Sequence, residues 1–322
     1  MSTGRIIAGL GAGIALGTLF GFYALAPNVE GGPGGGSASA QHQLEQERSA
    51  RQSAEADANT ADRIIDAQAQ TLLADDLKGR TVALVGMPGA PAQAVDRIAA
   101  MVGDAGGEVS ARVTLTEEAV NPDKGDELKS LAANSLPAGA KLSEKNLNPG
   151  MHTGQILGAA LSSGRGPGAG KSASESDRSI VFGALRNQGF VDKADQQVKP
   201  ADLAIVVTGS GAQSTAGKKE ENRKDGGPAG GGYAAQFTAD VAAGLDSTMA
   251  GTVLAGDAGS AADGGAIAIV RKSPELVKSV STVDDAQRAA GALTVIKAAK
   301  QQLEKAAGQY GSGPGATAAT VG

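Results

Sequence analysis

The sequence predicts an α/β protein in three parts: a single N-terminal transmembrane helix, a helical coiled-coil stalk, and a mainly parallel-sheet α/β domain. Three observations carry this expectation. Residues Ile6–Ala26 are uncharged and mostly apolar, Gln41–Lys78 contain neither Pro nor Gly, and Thr81–Leu115 read as strand, helix, strand. The implied division is a cytoplasmic tip and anchor over 1–27, a flexible linker over 28–40, a stalk over 41–78, an extracytoplasmic domain over 79–310 and a Gly/Ala-rich tail over 311–322.

The anchor comes first. About 20 apolar residues at ~1.5 Å each cross the ~30 Å hydrocarbon layer. Arg5 and the terminal amine precede the run, and Asn28 and Glu30 follow it. Positive charge stays inside, so the N-terminus is expected in the cytoplasm and the bulk beyond the cell membrane, on the periplasmic side. Ala24-Leu25-Ala26 has the form of a signal-peptidase site. The apolar run exceeds the usual ~7–15 residues of a signal peptide, however. Pro27 would also obstruct cleavage, so the anchor is read as retained. Gly9, Gly13, Gly17 and Gly21 fall four apart, on one helix face. Such a stripe lets two helix backbones approach closely. The plainer account is that Gly is common in membrane helices and in this chain, which has 48.

Gly31–Ala40 (GGPGGGSASA) reads as a flexible spacer. Gln41–Lys78 is rich in Ala, Gln, Glu and Arg, good helix formers, and Gly79 offers a stop. Heptad spacing aligns Leu44, Arg51, Ala58, Ile65 and Leu72, with Glu47, Ala54, Ala61 and Gln68 as companions. That seam is partly polar and makes a weak coiled coil through which the chain would form homo-oligomers. The alternative is a lone helix whose Ile64, Ile65, Leu72 and Leu73 pack on the domain.

The domain opens on Thr81–Val85, an apolar run of buried-strand type. A turn over Met87–Pro91 leads to a helix at Ala92–Asp104, whose inner face is Val95, Ile98, Ala99 and Val102. Gly106-Gly107 ends it before a strand at Glu108–Leu115, and this β-α-β unit argues for a parallel sheet. Further strands are expected at Leu203–Thr208, Thr252–Ala255 and Ala266–Val270, with helices near Ile180–Gln188, Tyr233–Leu245 and Ala290–Ala307. Ser163–Ser176 and Ala212–Gly232 read as solvated loops.

Composition narrows the function. Lys and Arg total 29 against 34 Asp and Glu, a net charge of −5 without a basic block, so a nucleic-acid partner is not expected. The absence of Cys removes disulfides and thiolate metal sites. With five Phe, three Tyr and no Trp, the core must be built from Ala, Val, Leu and Ile.

Gly164–Ser172 (GRGPGAGKS) resembles a phosphate-binding loop, but the required first Gly falls on Arg165, and the converging N–H groups depend on that spacing. Gly209-Ser210-Gly211 follows a strand like a dinucleotide turn, yet no helix start follows, so it reads as a loop. The two histidines are His42, at the start of the stalk, and His152, which follows Met151 in a Gly/Asn/Pro-rich segment read as a surface turn. Met151 and His152 are soft-metal donors, but two ligands do not make a tight copper site. Asp284-Asp285 could supply paired carboxylates for acid–base chemistry, although capping the next helix is the plainer role. No catalytic set emerges, no resident cofactor is implied, and the chain is expected not to be an enzyme.

Several stretches together resemble the actinobacterial MctB family. They are Gly79–Val85 after the stalk, Val102–Leu115, Ser135–Gly139, the motif Ser281, Thr282, Val283, Asp284, Asp285, and Tyr310–Ala316 with Tyr310, Gly311 and Gly313. With anchor and stalk the resemblance covers nearly the whole chain. It implies one of two roles. The first is copper transport or efflux. The second is cell separation during division, with a SteA-like membrane partner and peptidoglycan hydrolases, as for the related corynebacterial factor SteB. An outer-membrane barrel needs many alternating strands and aromatic girdles, which eight aromatic residues cannot furnish. Anchor, spacer, stalk and docking domain fit a scaffold, and the segment Tyr310–Ala316 is the expected contact or domain-closing element.

Overall fold

A computed structural model describes residues 36–166, 171–192, 198–210 and 232–322. The expected membrane helix Ile6–Ala26, with Gly9, Gly13, Gly17 and Gly21, lies outside the described residues. So do residues 28–35 of the linker and residues 212–231 of the second loop. Among the described residues no helix is long and apolar enough to cross a membrane. The chain divides into two units, one ending at Ile64 and the other running Ile65–Val321. Residues 311–321 therefore belong to the second unit.

Helix α1 (Gly36–Leu73) starts inside the stretch expected as linker and ends before the expected Lys78. Gly31–Gly35 contain the Gly/Pro cluster, whereas Ser37–Ala40 add Ala, the best helix former, to the run that follows. At the other end Asp75 turns left-handed at φ 61°, and the chain folds back so that the Leu77 N–H donates to Ala105 O at 2.9 Å. Gly79, at φ 67°, shapes the entry to the first strand rather than the helix stop. Lys297 closes the helix C-terminus by donating to Leu72 O at 3.1 Å, where a cation complements the helix dipole. Lys297 and Lys300 both pair with Asp76, at 3.2 and 2.8 Å.

The remaining elements are β1 (Thr81–Gly86), α2 (Ala92–Asp104), β2 (Glu108–Thr114), α3 (Gly125–Asn134), α4 (Pro149–Leu161), α5 (Glu175–Asn187), β3 (Leu203–Val207), α6 (Tyr233–Asp246), β4 (Gly251–Ala255), α7 (Ala258–Ala261), α8 (Ala266–Lys272), β5 (Val280–Val283), α9 (Ala289–Leu303) and β6 (Gln309–Tyr310). Among the described residues six strands form one sheet, in the order β2-β1-β3-β4-β5-β6. Every pairing is parallel, as the β-α-β reading predicts. β2 is an edge strand, and antiparallel bridges from Val191 to Leu115 and from Val198 to Ala111 cover it. Covering an edge removes a template for unwanted strand pairing.

Alternate side chains feed two cores. Val82 and Leu84 of β1, with Leu203, Ile205 and Val207 of β3, pack under Leu73, Ile98 and Ile296 from α1, α2 and α9. Ala83, Val85, Ala204 and Val206 face the other way, toward Ile156, Val181, Phe237 and Ile267 from α4, α5, α6 and α8. Both faces are buried, which is why the strands read as unbroken apolar runs.

One predicted strand is corrected. Ala266–Val270 is the core of helix α8, and the strand of that region is β5 instead. A five-residue apolar run does not distinguish a buried helix from a buried strand. Here Ala266, Ile267, Ala268 and Val270 are all buried, so the helix is apolar nearly all round. Helices α3 and α4 were not foreseen. In α4 Pro149 occupies the first turn, where its missing N–H costs nothing, and Gly150, Gly154 and Gly158 face α6. A Cβ on Gly154 would overlap the Val241 carbonyl, and one on Gly244 would lie 2.5 Å from Met151 O. Glycine thus sets the backbone-to-backbone approach of α4 and α6.

Candidate functional site

The order β2-β1-β3 means the chain leaves β1 toward one side of the sheet and returns on the other. In open parallel sheets, ligands bind in the crevice outside the strand carboxyl ends at such a switch point. A cavity of about 190 Å³ lies there. Pro88 and Gly89 after β1 and Thr208, Gly209 and Ser210 after β3 form its floor, with Glu117 and the first turns of α6 as walls. The two floor loops touch: Gly89 is at φ 77°, and a Cβ on Gly209 would overlap the Gly89 carbonyl. Gly209 and Ser210 are loop residues, as expected, and Gly211 lies outside the described residues. Sequence alone noticed the Gly-Ser-Gly turn but could not place it at a switch point, because strand order is not written locally.

The motif residues Ser281, Thr282, Val283, Asp284, Tyr310, Gly311 and Gly313 converge at the other edge of the sheet, on β5, β6 and the turn after β6. Arg271, in the last turn of α8, is their hub, and sequence reasoning missed it. Its side chain is 2% exposed and that of Asp284 is 0%. Arg271 Nη1 meets Asp284 Oδ2 at 2.7 Å and donates to Pro314 O at 2.9 Å. Nη2 donates to Tyr310 O at 2.6 Å, and Nε donates to Thr282 Oγ1 at 2.9 Å. Asp284 in turn accepts from the N–H groups of Ser312 at 2.9 Å and Gly313 at 3.0 Å. A Cβ on Gly311, at φ 124°, would overlap the Asp284 carboxylate. Thr282 donates to Gln309 Oε1 at 2.7 Å, and Gln302 donates to Ser281 Oγ at 2.8 Å. The expected helix cap at Asp284-Asp285 is therefore corrected: α9 begins at N-cap Arg288 with no side-chain cap bond. Asp284 fastens the C-terminal turn, with both oxygens engaged and no face to solvent.

The residues offered to a metal are placed differently from expectation. His152 is buried, at 8% exposure, inside α4 rather than in a surface turn. Its Nε2 lies 3.1 Å from Ser143 O, and Gln155 Oε1 accepts from Ser143 N–H at 2.8 Å. Both brace the loop before α4. Asp240 of α6 accepts from Asn148 at 2.9 Å and holds the same loop. Burial raises the Asp240 carboxyl against hydrogen bonds from Asn148, Gln236 and Asn146. Burial also raises Tyr233, assisted by Asp126 and Asp240. Met151 is the sequence neighbour of His152, only half-buried, and His42 is exposed beside Glu45. Among the described residues, no three His, Asp or Glu side chains converge as a metal site.

The phosphate-loop look-alike is put to another use. Arg165 pairs with the buried Asp202 at 3.0 Å, and Ser163 donates to the same carboxylate at 2.5 Å. Residues 167–170 lie outside the described residues. Of the stalk residues, Leu44 is 52% exposed, while Ile65 and Leu72 pack against the domain core.

Fold and site define a class: an open, all-parallel α/β domain covered by helices on both faces, with a switch-point crevice and a C-terminal turn clasped by a buried ion pair. Comparison with known proteins sharpens this. The chain belongs to the MctB family, described as "Copper transport outer membrane protein, MctB", whose model matches residues 6–321. It is 34% identical over 250 residues to the copper transporters MctB of Mycobacterium tuberculosis and Mycobacterium bovis, covering 77% of this chain and 74% of each relative. The copper transporter MctB of Mycobacterium leprae is 33% identical over 253 residues, covering 77% of this chain and 75% of the relative.

Proposed function

We propose that this chain is a non-enzymatic, membrane-anchored protein of the cell envelope that works by protein–protein contacts in cell-wall division and separation. The observation that carries this reading is the sheet itself. It is open, parallel and buried on both faces, with edges at β2 and β6. Such a domain offers surfaces and a crevice, not a lumen. The apolar run Ile6–Ala26 supplies the tether, and the family match starting at residue 6 supports counting it as part of the family pattern. The stretch from Gly36 to Ile64 supplies a helix with Leu44 and Ile64 exposed, suited to pairing with a second copy or a SteA-like partner. A photo-crosslinking residue at position 44, used in living cells, tests this. Crosslinked homodimer or a membrane partner of the division machinery is expected, and monomer alone contradicts the reading.

A second reading is copper transport, favoured by the family description and by the relatives' names. Its test is Cu(I) titration of the full chain in detergent. Stoichiometric binding lost on changing Met151 and His152 would establish it. The burial of His152, and the lack of a third His, Asp or Glu side chain converging on it among the described residues, weigh against it.

A further inference from the structure

We infer that Asp263-Gly264 is a site of spontaneous isoaspartate formation, and that conversion there loosens the C-terminal clasp. The sequence contains two Asp-Gly pairs, at 263–264 and 225–226, and no Asn-Gly pair. Only the first lies among the described residues, in the turn between α7 and α8. The Asp263 side chain is 83% exposed, so water reaches its carboxyl. Gly264 has φ 82° and carries no Cβ to shield its nitrogen. The Gly264 N–H donates to the Asp263 carboxylate, which sets that nitrogen beside the side-chain carbon it would attack.

The chemistry needs only water. With the carboxyl neutral, Gly264 N bonds to Asp263 Cγ, and the carboxyl OH leaves with the amide proton as water. The cyclic imide that results is opened by water at either carbonyl. One opening restores aspartate. The other leaves the main chain running through Cβ and Cγ, with the free carboxyl on Cα. Atoms balance, and the mass of the chain is unchanged. Lys272 restrains the first step. Its Nζ lies 2.5 Å from Asp263 Oδ1, and that bond, the Lys272 charge and the Gly264 N–H hold the carboxyl below its ordinary 3.8. The neutral form is therefore scarce at pH 7, and conversion is slow.

The product does not keep the contacts of the turn. Gly265 N–H donates to Ala262 O at 2.9 Å across the pair, and a Cβ on Gly265 would overlap Ser260 O, so the main chain is tightly held there. The added methylene falls inside that bonded turn. The new carboxyl sits directly on the main chain, drawn away from Lys272. Both ends of α8 thus lose a tie, at the turn before Ala266 and at Lys272. Arg271, the hub of the clasp, is the neighbour of Lys272 in that last turn.

The test ages the full chain in phosphatidylcholine nanodiscs for weeks at physiological temperature. Electron-transfer mass spectrometry then separates isoaspartate at 263 from isoaspartate at 225. Isoaspartate accumulates at 263, faster at pH 5 than at pH 8. Lys272→Gln accelerates it by about 2- to 5-fold, the scale of one exposed ion pair. Asp263→Glu, whose longer side chain would have to close a larger ring, forms none and serves as the control. Hydrogen exchange at the N–H groups of Ser312 and Gly313, which donate to Asp284, rises with the converted fraction in aged wild type and not in aged Asp263→Glu. No isoaspartate at 263 in the native chain, or an unchanged rate in Lys272→Gln, overturns the site. Isoaspartate at 263 with unchanged exchange at Ser312 and Gly313 overturns the link to the clasp.

Discussion

At the scale of single residues, the clasp formed by Arg271 and Asp284 dominates. Removing one partner of a buried ion pair strands the other charge, at about 3–5 kcal/mol. Asp284→Ala should therefore lower unfolding free energy by that amount in urea titrations. The same change in an Arg271→Met background should cost clearly less, because no charge is left unpaired. Equal losses in both backgrounds would show that the clasp is not electrostatic. Asp246 carries a second prediction. Burial raises its carboxyl to about 6 from the ordinary 3.8, against a hydrogen bond from Ser279. The native state thus binds this proton more tightly than the unfolded chain, so the penalty for the anion is absent below pH 4 and grows as pH rises to about 6. Asp246→Asn should be neutral at pH 4 and stabilising by about 1–2 kcal/mol at pH 7.5, a figure reduced for partial exposure. A stability difference that does not change across that window would contradict the assignment. The sequence showed that Asp284 and Tyr310 belong to shared motifs. It did not show that they meet, because Arg271 directly follows a segment that reads as a strand, Ala266–Val270, and its place in a helix was not visible.

At the scale of elements, strands bounded by turn residues were legible and helix α4 was not. Its glycines dilute the apolar period, since they face the α6 backbone where another helix would place Leu or Val. The same spacing of four was visible in the apolar N-terminal run, where the membrane context made it readable. Two substitutions separate glycine chosen for contact from glycine tolerated in a helix. Gly154→Val puts a side chain into the Val241 carbonyl and should destabilise by about 3 kcal/mol or more. Gly183→Ala, in α5, meets nothing within 4 Å and should stabilise by about 0.5–1 kcal/mol. Similar thermal shifts for the two would refute the contact argument. The end of α1 follows the same logic. Lys297→Met removes the cation on Leu72 O and Asp76 and should lower stability by about 1 kcal/mol, read as earlier proteolysis after residue 65.

For the whole molecule, composition and periodicity determined the class, because a parallel sheet covered on both faces writes itself as apolar strands alternating with amphipathic helices. Strand order, and with it the switch-point crevice, depends on which strands pair across long stretches of chain and has no local signature. The boundaries expected at Lys78 and Tyr310 differ from the compact unit Ile65–Val321 for one reason: both flanking segments are held by the domain, Leu73 and Leu77 through their side chains at one end and the clasped turn through its backbone N–H groups at the other. The account joins this domain to a tether and assigns it contact-based work in the envelope. Deleting the gene and scoring cell separation and cell-associated copper in the same cultures tests that most directly. The account predicts chained, unseparated cells with unchanged copper content, restored by the full chain but not by a version lacking residues 6–26. Normal separation together with altered copper content would contradict it.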